Sequence, residues 1–333
     1  MIEKDELYPL LFSPIYVNVV WGGNMLETTL GRKLPKTDIP IGEAWEVCDR
    51  EDAQSIVENG PLAGKSLGEL CAQYGKALLG DLFNGGRFPL LVKIIDAGKR
   101  LSLQVHPDEN YCAKNPGAEP KTEMWYVIDA KPDAKIIAGL KYNCTMRQFI
   151  EKINSTDIEN YLQIHNSVPG DAYYISAGRV HAIGGGNLLL EIQQNSNTTY
   201  RISDWGRLGS DGKPRELHIE QALSCINFMD RNTPRIPGVS DSAYHNRKLP
   251  IINMCPFFRV DELRLVGGYF DRTDGASFHL LTAINKNATV RSADKRRHAE
   301  IPRGRTALIP ANFGTYSIEV PEGSETTVIK TTL

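Results

Sequence analysis

No run of about 18 apolar residues, the length a membrane-spanning helix needs, occurs anywhere in the 333-residue chain. Its first residues, MIEKDELYPLLF, carry no basic stretch leading into an apolar one, so no secretory leader is expected. Together these absences give the expectation of a soluble, cytoplasmic protein with no membrane partner. Charge of one sign is equally missing: 38 Lys and Arg stand against 40 Asp and Glu, without a long block of either. That balance argues against a nucleic-acid face or a polybasic membrane patch, although a few cations in one pocket suffice for a small anion. Cysteine is sparse. Cys48, Cys71, Cys112, Cys144, Cys225 and Cys255 form no Cys-x-x-Cys pair, and in a chain this long they read as reduced thiols. No oligomeric state follows from any of this. The length suffices for a large core and about two domains.

What is present is concentrated in one stretch, LSLQVHPDENYCAKNPGAEPKTEMWY, residues 101–126. Leu101, Leu103 and Val105 alternate with Ser102, Gln104 and His106, which predicts a half-buried strand. Side chains two apart share a face, so Ser102, Gln104 and His106 should look the same way. A loop rich in Pro, Gly and Asn follows, after which Lys121 and Glu123 repeat the spacing of two at the next strand. Farther on, VPGDAYYISAGRVHAI places His181 just past a glycine turn. Two imidazoles and a carboxylate are donor types of a Zn2+ site, and the Gln104 amide oxygen could serve as a fourth. Taken singly, each residue also fits an ordinary strand position; the joint pattern is what points to metal.

The remaining periodicities are mostly those of short strands. Segments 16–21, 44–48, 55–58, 88–96, 171–175, 187–193 and 198–202 read this way, separated by Gly- and Asn-containing turns. A capping box, Ser66 with Glu69, opens an expected helix whose apolar face is Leu67, Leu70, Cys71, Tyr74 and Leu78. Thr145 with Gln148 opens another over 145–162, and Pro214 opens one reaching 228. Residues 229–250 lack periodicity and read as a linker. From 257 onward, strand segments recur with the spacing of a β-sandwich or jelly roll. The expectation is a mainly β protein of two domains: residues 1–240, with helices inserted in it or flanking it, and residues 241–333.

Gly170-x5-Ser176-x-Gly178-x2-His181 is similar to a cupin half-motif, with Ser176 where proline is usual. Gln104-x-His106 followed by Glu123 resembles the other half, its His-x-His become Gln-x-His. Beyond these, QVHPDE, KTEMWY, PGDAYYISAGRVHAI and TYRISDWGR resemble the type I mannose-6-phosphate isomerases in their short bacterial form. The likeness runs from VVWGGNML and IGEAWEVCDR through NGPLAGKSLGEL and GKPRELHIEQAL to GRTALIPANFG, nearly the whole chain. It implies two cupin, or jelly-roll, β-barrel domains, the first catalytic and metal-binding. It further implies one Zn2+ per chain, with Gln104, His106, Glu123 and His181 as ligands. The implied reaction interconverts D-mannose 6-phosphate and D-fructose 6-phosphate through an enediol-type intermediate. In the second domain Gly304-x5-Pro310 repeats the start of a half-motif, but Thr315 stands where the metal histidine would fall. No metal is expected there.

Aldose–ketose isomerisation needs a base and a stabiliser of oxyanion charge. Glu191 is the candidate base, and its spacing to Arg201 resembles that of the family's acidic residue and catalytic arginine. Glu191 could instead be an ion-paired carboxylate, and Arg201 could be tied to Asp204. Lys121 and Ser102 resemble residues that line the family's sugar-phosphate pocket. Trp45, Trp125 and Tyr126 fit a sugar-stacking face or, more commonly, a core. Gly184, Gly185 and Gly186 lack the Lys-Ser/Thr of a phosphate loop and read as a flexible turn. Two other readings stay open: a cupin isomerase for another sugar or sugar phosphate, and a sugar-binding cupin without turnover. The second would be favoured by missing ligands, and in the N-terminal half all of them are present.

Overall fold

A computed structural model describes residues 2–153, 155–239, 241–242, 244–323 and 325–333. The chain is mainly β, built of antiparallel sheets of cupin type with a few short helices. No helix among the described residues is long and apolar enough to cross a membrane.

Two units emerge: residues 1–15, 45–91 and 240–333, and residues 16–44 and 92–239. The expected division into 1–240 and 241–333 followed chain order, whereas these units interleave. The reason is strand pairing between residues far apart in sequence. Leu10–Ser13 pairs antiparallel with Thr306–Ile309, Leu10 opposite Leu308, and Ile56–Val57 pairs with Leu10–Ser13 in turn. Ser240, at the expected boundary, lies outside the described residues.

The unit of residues 16–44 and 92–239 carries the motif stretch. One of its sheets has the order Tyr200–Ser203, Leu103–Val105, His181–Ile183, Lys135–Leu140, Leu162–Asn166. Strand alternation gives that sheet two different faces. Leu103, Val105, Val180, Ala182 and Ile202 pack with Phe149, Ile153, Ile158 and Ala222 from the helical segments. Ala138 and Ile183 belong to a second core with Trp125, Val127, Tyr173 and Leu189 of the other sheet. In that sheet Glu123–Ala130 lies between Ala172–Ile175 and Asn187–Gln194, with Glu191 opposite Trp125 and Gln193 opposite Glu123.

The other unit has its own pair of sheets and its own core of Leu263, Leu281, Val290, Ile309, Tyr316 and Val328. An edge strand of its seven-stranded sheet explains what periodicity missed. Arg247–Ile252, overlapping the end of the expected linker, is an edge strand, where Pro250 is tolerated because no ladder bond is demanded on the open side. The helices follow their caps but are shorter than expected. Thr145 accepts from the Gln148 N–H and opens Met146–Lys152, after which Ser155 starts a separate 3-10 turn, Thr156–Tyr161; Asn154 lies outside the described residues. The helix expected from Pro214 begins only at Ile219 and ends at Cys225. Leu67–Tyr74 has the full Ser66–Glu69 capping box.

Candidate metal centre and active site

The register of the five-stranded sheet sets the site. Arg201 stands opposite Gln104, and Gln104 stands opposite His181, so the three form one row across neighbouring strands. Cross-strand partners project from the same face. The strand itself covers only Leu103–Val105, with Ser102 just before it and His106 just after. Both flanking side chains still join the row's surroundings: Ser102 Oγ lies 3.1 Å from Gln104 Oε1. His106 is drawn in by two backbone ties. Its carbonyl accepts from the Gly178 N–H at 2.9 Å, and its Nδ1 meets the Thr198 carbonyl at 2.9 Å. Gly178 has φ 81°, and a Cβ there would approach the Cys225 carbonyl to 3.0 Å, so the turn that delivers His181 requires glycine.

Glu123 comes from the opposing sheet and is fully buried. Its Oε2 lies 3.5 Å from His106 Nε2 and its Oε1 lies 3.4 Å from His181 Nε2. These are contacts, not hydrogen bonds. His181 Nδ1 is 2.8 Å from the Arg179 carbonyl, so both imidazoles place Nδ1–H on a backbone acceptor and leave Nε2 as a lone pair. His106 Nε2 and Glu123 Oε1 are buried without any hydrogen-bond partner, and Glu123 Oε2 has only the Lys121 ammonium, 2.9 Å away. One ligand atom from each of His106, Glu123 and His181 can be chosen so that all lie within 4.8 Å of one another. Buried acceptors facing acceptors are costly unless a cation sits among them. This is the donor set of a divalent metal site. Gln104 Nε2 lies 3.2 Å from His181 Nε2, and a half-turn of the amide puts Oε1 there instead, with Ser102 then accepting from the nitrogen.

The electrostatics agree. Burial and the Lys121 ammonium push the His106 imidazole down to about 3, and burial lowers His181 as well, so both are neutral donors. Burial would raise the Glu123 carboxyl, but the Lys121 ammonium, 2.9 Å away, holds it well below the usual carboxylate range. Glu191 goes the other way: burial and the neighbouring charge of Glu123 raise it, against the pull of Lys93 and Lys121. Its Oε2 accepts from Trp125 Nε1 at 2.9 Å, and Oε1 lies 3.4 Å from Lys93. Trp125 is fully buried, its ring edge-on to His181, so it serves the core and orients Glu191.

Lys93 and Glu43 are the members that sequence reasoning missed. Lys93 also lies 3.4 Å from Glu43, and among these groups three carboxylates face two ammonium ions. The signal was available: a lysine inside LLVKIIDA, every residue of which is buried, demands a buried partner. Arg201 is half-buried and bonds the Glu216 carbonyl through Nη1 at 2.8 Å, while its Nε has no partner. It does not pair with Asp204, whose carboxylate is taken by Arg207 and Arg215.

Residues 10–148 match the family model described as phosphomannose isomerase type I, catalytic domain, a span that includes Gln104, His106, Lys121 and Glu123. The probable mannose-6-phosphate isomerase GmuF of Bacillus subtilis is 34% identical over 315 residues, 94% of this chain and 96% of the relative. The mannose-6-phosphate isomerase of Streptococcus mutans is 38% identical over 262 residues, 78% of this chain and 79% of the relative. Among solved structures, the mannose 6-phosphate isomerase from Bacillus subtilis superposes with a TM-score of 0.86 at 30% identity, covering 98% of this chain and all of that one.

Proposed function

Since the chain belongs to the type I mannose-6-phosphate isomerases, a family of aldose–ketose isomerases, we propose that it interconverts D-mannose 6-phosphate and D-fructose 6-phosphate with one Zn2+ per chain. His106 Nε2, Glu123 and His181 Nε2 would hold the ion, with the Gln104 amide oxygen as fourth donor. One observation carries this reading: His106 Nε2, His181 Nε2 and the Glu123 carboxylate converge as buried acceptors, and His106 Nε2 and Glu123 Oε1 have no hydrogen bond to satisfy them. Nitrogen and oxygen donors in a small set suit zinc, which when bound polarises the oxygens of an open-chain sugar. The catalytic unit is then residues 16–44 and 92–239, and the other unit carries no metal. We take the enzyme to be cytoplasmic.

The protein's own groups divide the remaining work. Glu191 is the base that carries a proton between neighbouring carbons through an enediol-type intermediate. Burial raises its carboxyl toward working pH, where a base is most effective, and Oε1 is the oxygen left without a hydrogen bond. Arg201 stabilises the oxyanion charge that develops as the proton moves. Lys121 and Ser102 line the sugar-phosphate side.

The test is mannose 6-phosphate isomerisation before and after chelation, followed by Zn2+ add-back, with unphosphorylated mannose in parallel. Loss on chelation and recovery with zinc are expected. Full activity in chelator would end the zinc reading, and equal rates on mannose would end the sugar-phosphate reading.

A further inference from the structure

Arg201 has a carboxylate three residues away that it does not bind. Asp204 is almost fully buried, and its charge acts on Arg201 more strongly than that of Glu216. Three donors occupy it: Arg207 Nη2 and Arg215 Nη2 on Oδ1, and Arg215 Nε on Oδ2. Each captor is fixed in turn. Arg207 Nη1 bonds the Arg100 carbonyl, and Pro214, next to Arg215, bridges to Leu208. With Asp204 filled, Arg201 takes no carboxylate among the described residues and keeps Nε without a partner. The three guanidinium groups are close enough that Arg215 and Arg207 both disfavour the charge on Arg201.

We propose that Arg207 and Arg215 are positioning residues that hold Asp204 away from Arg201 and so keep the Arg201 guanidinium available to the substrate. This rests on the catalytic role given to Arg201 above. The physical argument is competition. A buried carboxylate that loses one of its charged hydrogen bonds seeks another donor, and Arg201 is a guanidinium three residues away on the same segment. Capture would turn Arg201 along the strand toward Asp204, and the captured fraction would be lost to turnover.

Both captors also line a cavity of about 590 Å3 with Trp205 and Arg100, so a direct contact with substrate is the competing role. A rescue experiment separates the two. Arg215→Gln frees part of Asp204, and kcat should fall by about tenfold or more while KM moves little. Adding Asp204→Asn to that variant removes the captor of Arg201, and kcat should return to within about threefold of the parent. Zinc content and circular dichroism confirm that each variant is folded; if Arg215→Gln is not, Arg207→Gln with and without Asp204→Asn gives the same comparison. A single variant with parental kcat, or a double variant no faster than the single, overturns the proposal. Arg201→Ala runs alongside. If that variant keeps full kcat, the role of Arg201 fails first; if it is slow while Arg215→Gln is fast, only the positioning role fails.

Discussion

Each of the two units buries a polar cluster that contains histidine, and the clusters differ in one decisive way. In the unit of residues 16–44 and 92–239, His106, Glu123 and His181 confront one another with lone pairs and no hydrogen bonds between them. In the other unit, His279 Nδ1 meets the Tyr316 hydroxyl at 2.8 Å. That hydroxyl lies 3.3 Å from Asp271, and Lys330 lies 2.6 Å from the same carboxylate oxygen. The second cluster contains its own cation. The first has Lys121 on one Glu123 oxygen but nothing between the carboxylate and the two Nε2 atoms. A polar cluster that satisfies itself is architecture, whereas one that does not is a site waiting for a ligand.

The largest effect that sharpens this comparison is removal of a ligand. Glu123→Ala and His181→Ala should each lose bound metal and reduce turnover by about a thousandfold. Gln104→Ala, which removes only a neutral amide donor, should weaken metal retention less, by about ten- to a hundredfold. Elemental analysis and steady-state kinetics on the same preparations check both. Full metal in purified His181→Ala protein would remove it from the ligand set.

Next in size is Arg201. An interaction made only along the reaction path lowers kcat and leaves KM nearly untouched. Arg201→Ala should therefore lose about a hundredfold in kcat, and Arg201→Lys nearly as much, because an ammonium cannot reproduce the planar fork. Both should retain metal. A rise in KM with kcat preserved would reassign Arg201 to holding the ground-state phosphate.

The other unit offers the opposite outcome. Lys330→Met leaves the partly buried Asp271 beside Tyr316 without its cation, and should cost about 2 kcal/mol of stability. Metal content and kcat should not change. A drop in bound zinc in this variant would show that the second cluster is more than architecture.

How much of this was legible in the sequence depended on distance along the chain. Gln104, His106 and Glu123 sit within one strand–loop–strand, and His181 follows a glycine turn, so spacing alone assembled them. Asp204's true partners were less accessible. Arg207 is three residues away, but Arg215 arrives on a separate segment, and the only pair that sequence spacing suggested for Asp204 was the alternative one with Arg201. Lys93 and Glu43 were missed because their partners come from different strands, although a lysine in an apolar run was itself a warning. The C-terminal motif shows the limit of spacing most directly. Counting from Gly304 put Thr315 at the missing histidine, but Thr315 is exposed and Tyr316 is the buried residue. A shift of one residue turns a strand over, and only the pleat decides which side chain faces in. The interleaved units were invisible for a similar reason: the Leu10–Leu308 pairing leaves no periodic trace.

The smallest expected effect is a pH dependence that the two clusters should show differently. Burial pushes His106 down to about 3 and His279 down to about 4. In the unfolded chain both imidazoles titrate near 6.5. Between that value and the folded one, the unfolded state binds more protons, so stability falls as pH falls through this window and the loss levels off below it. The sign is the same for both residues, and each should contribute about 2 °C of melting temperature per pH unit. Metal separates them. Zinc needs His106 and His181 unprotonated and Glu123 ionised, and the folded site already holds His106 neutral down to about 3, so the stabilisation gained on adding zinc should stay level through mild acidification and shrink only as that value is approached. His279 holds Tyr316, and its share of the slope should be indifferent to zinc. Melting curves from pH 7 to 5, with zinc and with chelator, should therefore run parallel, and converge only on further acidification toward about pH 3. In His279→Gln the chelator curve should be flatter while the zinc increment is unchanged. If that substitution instead abolishes the zinc increment, the division of labour between the two clusters is wrong.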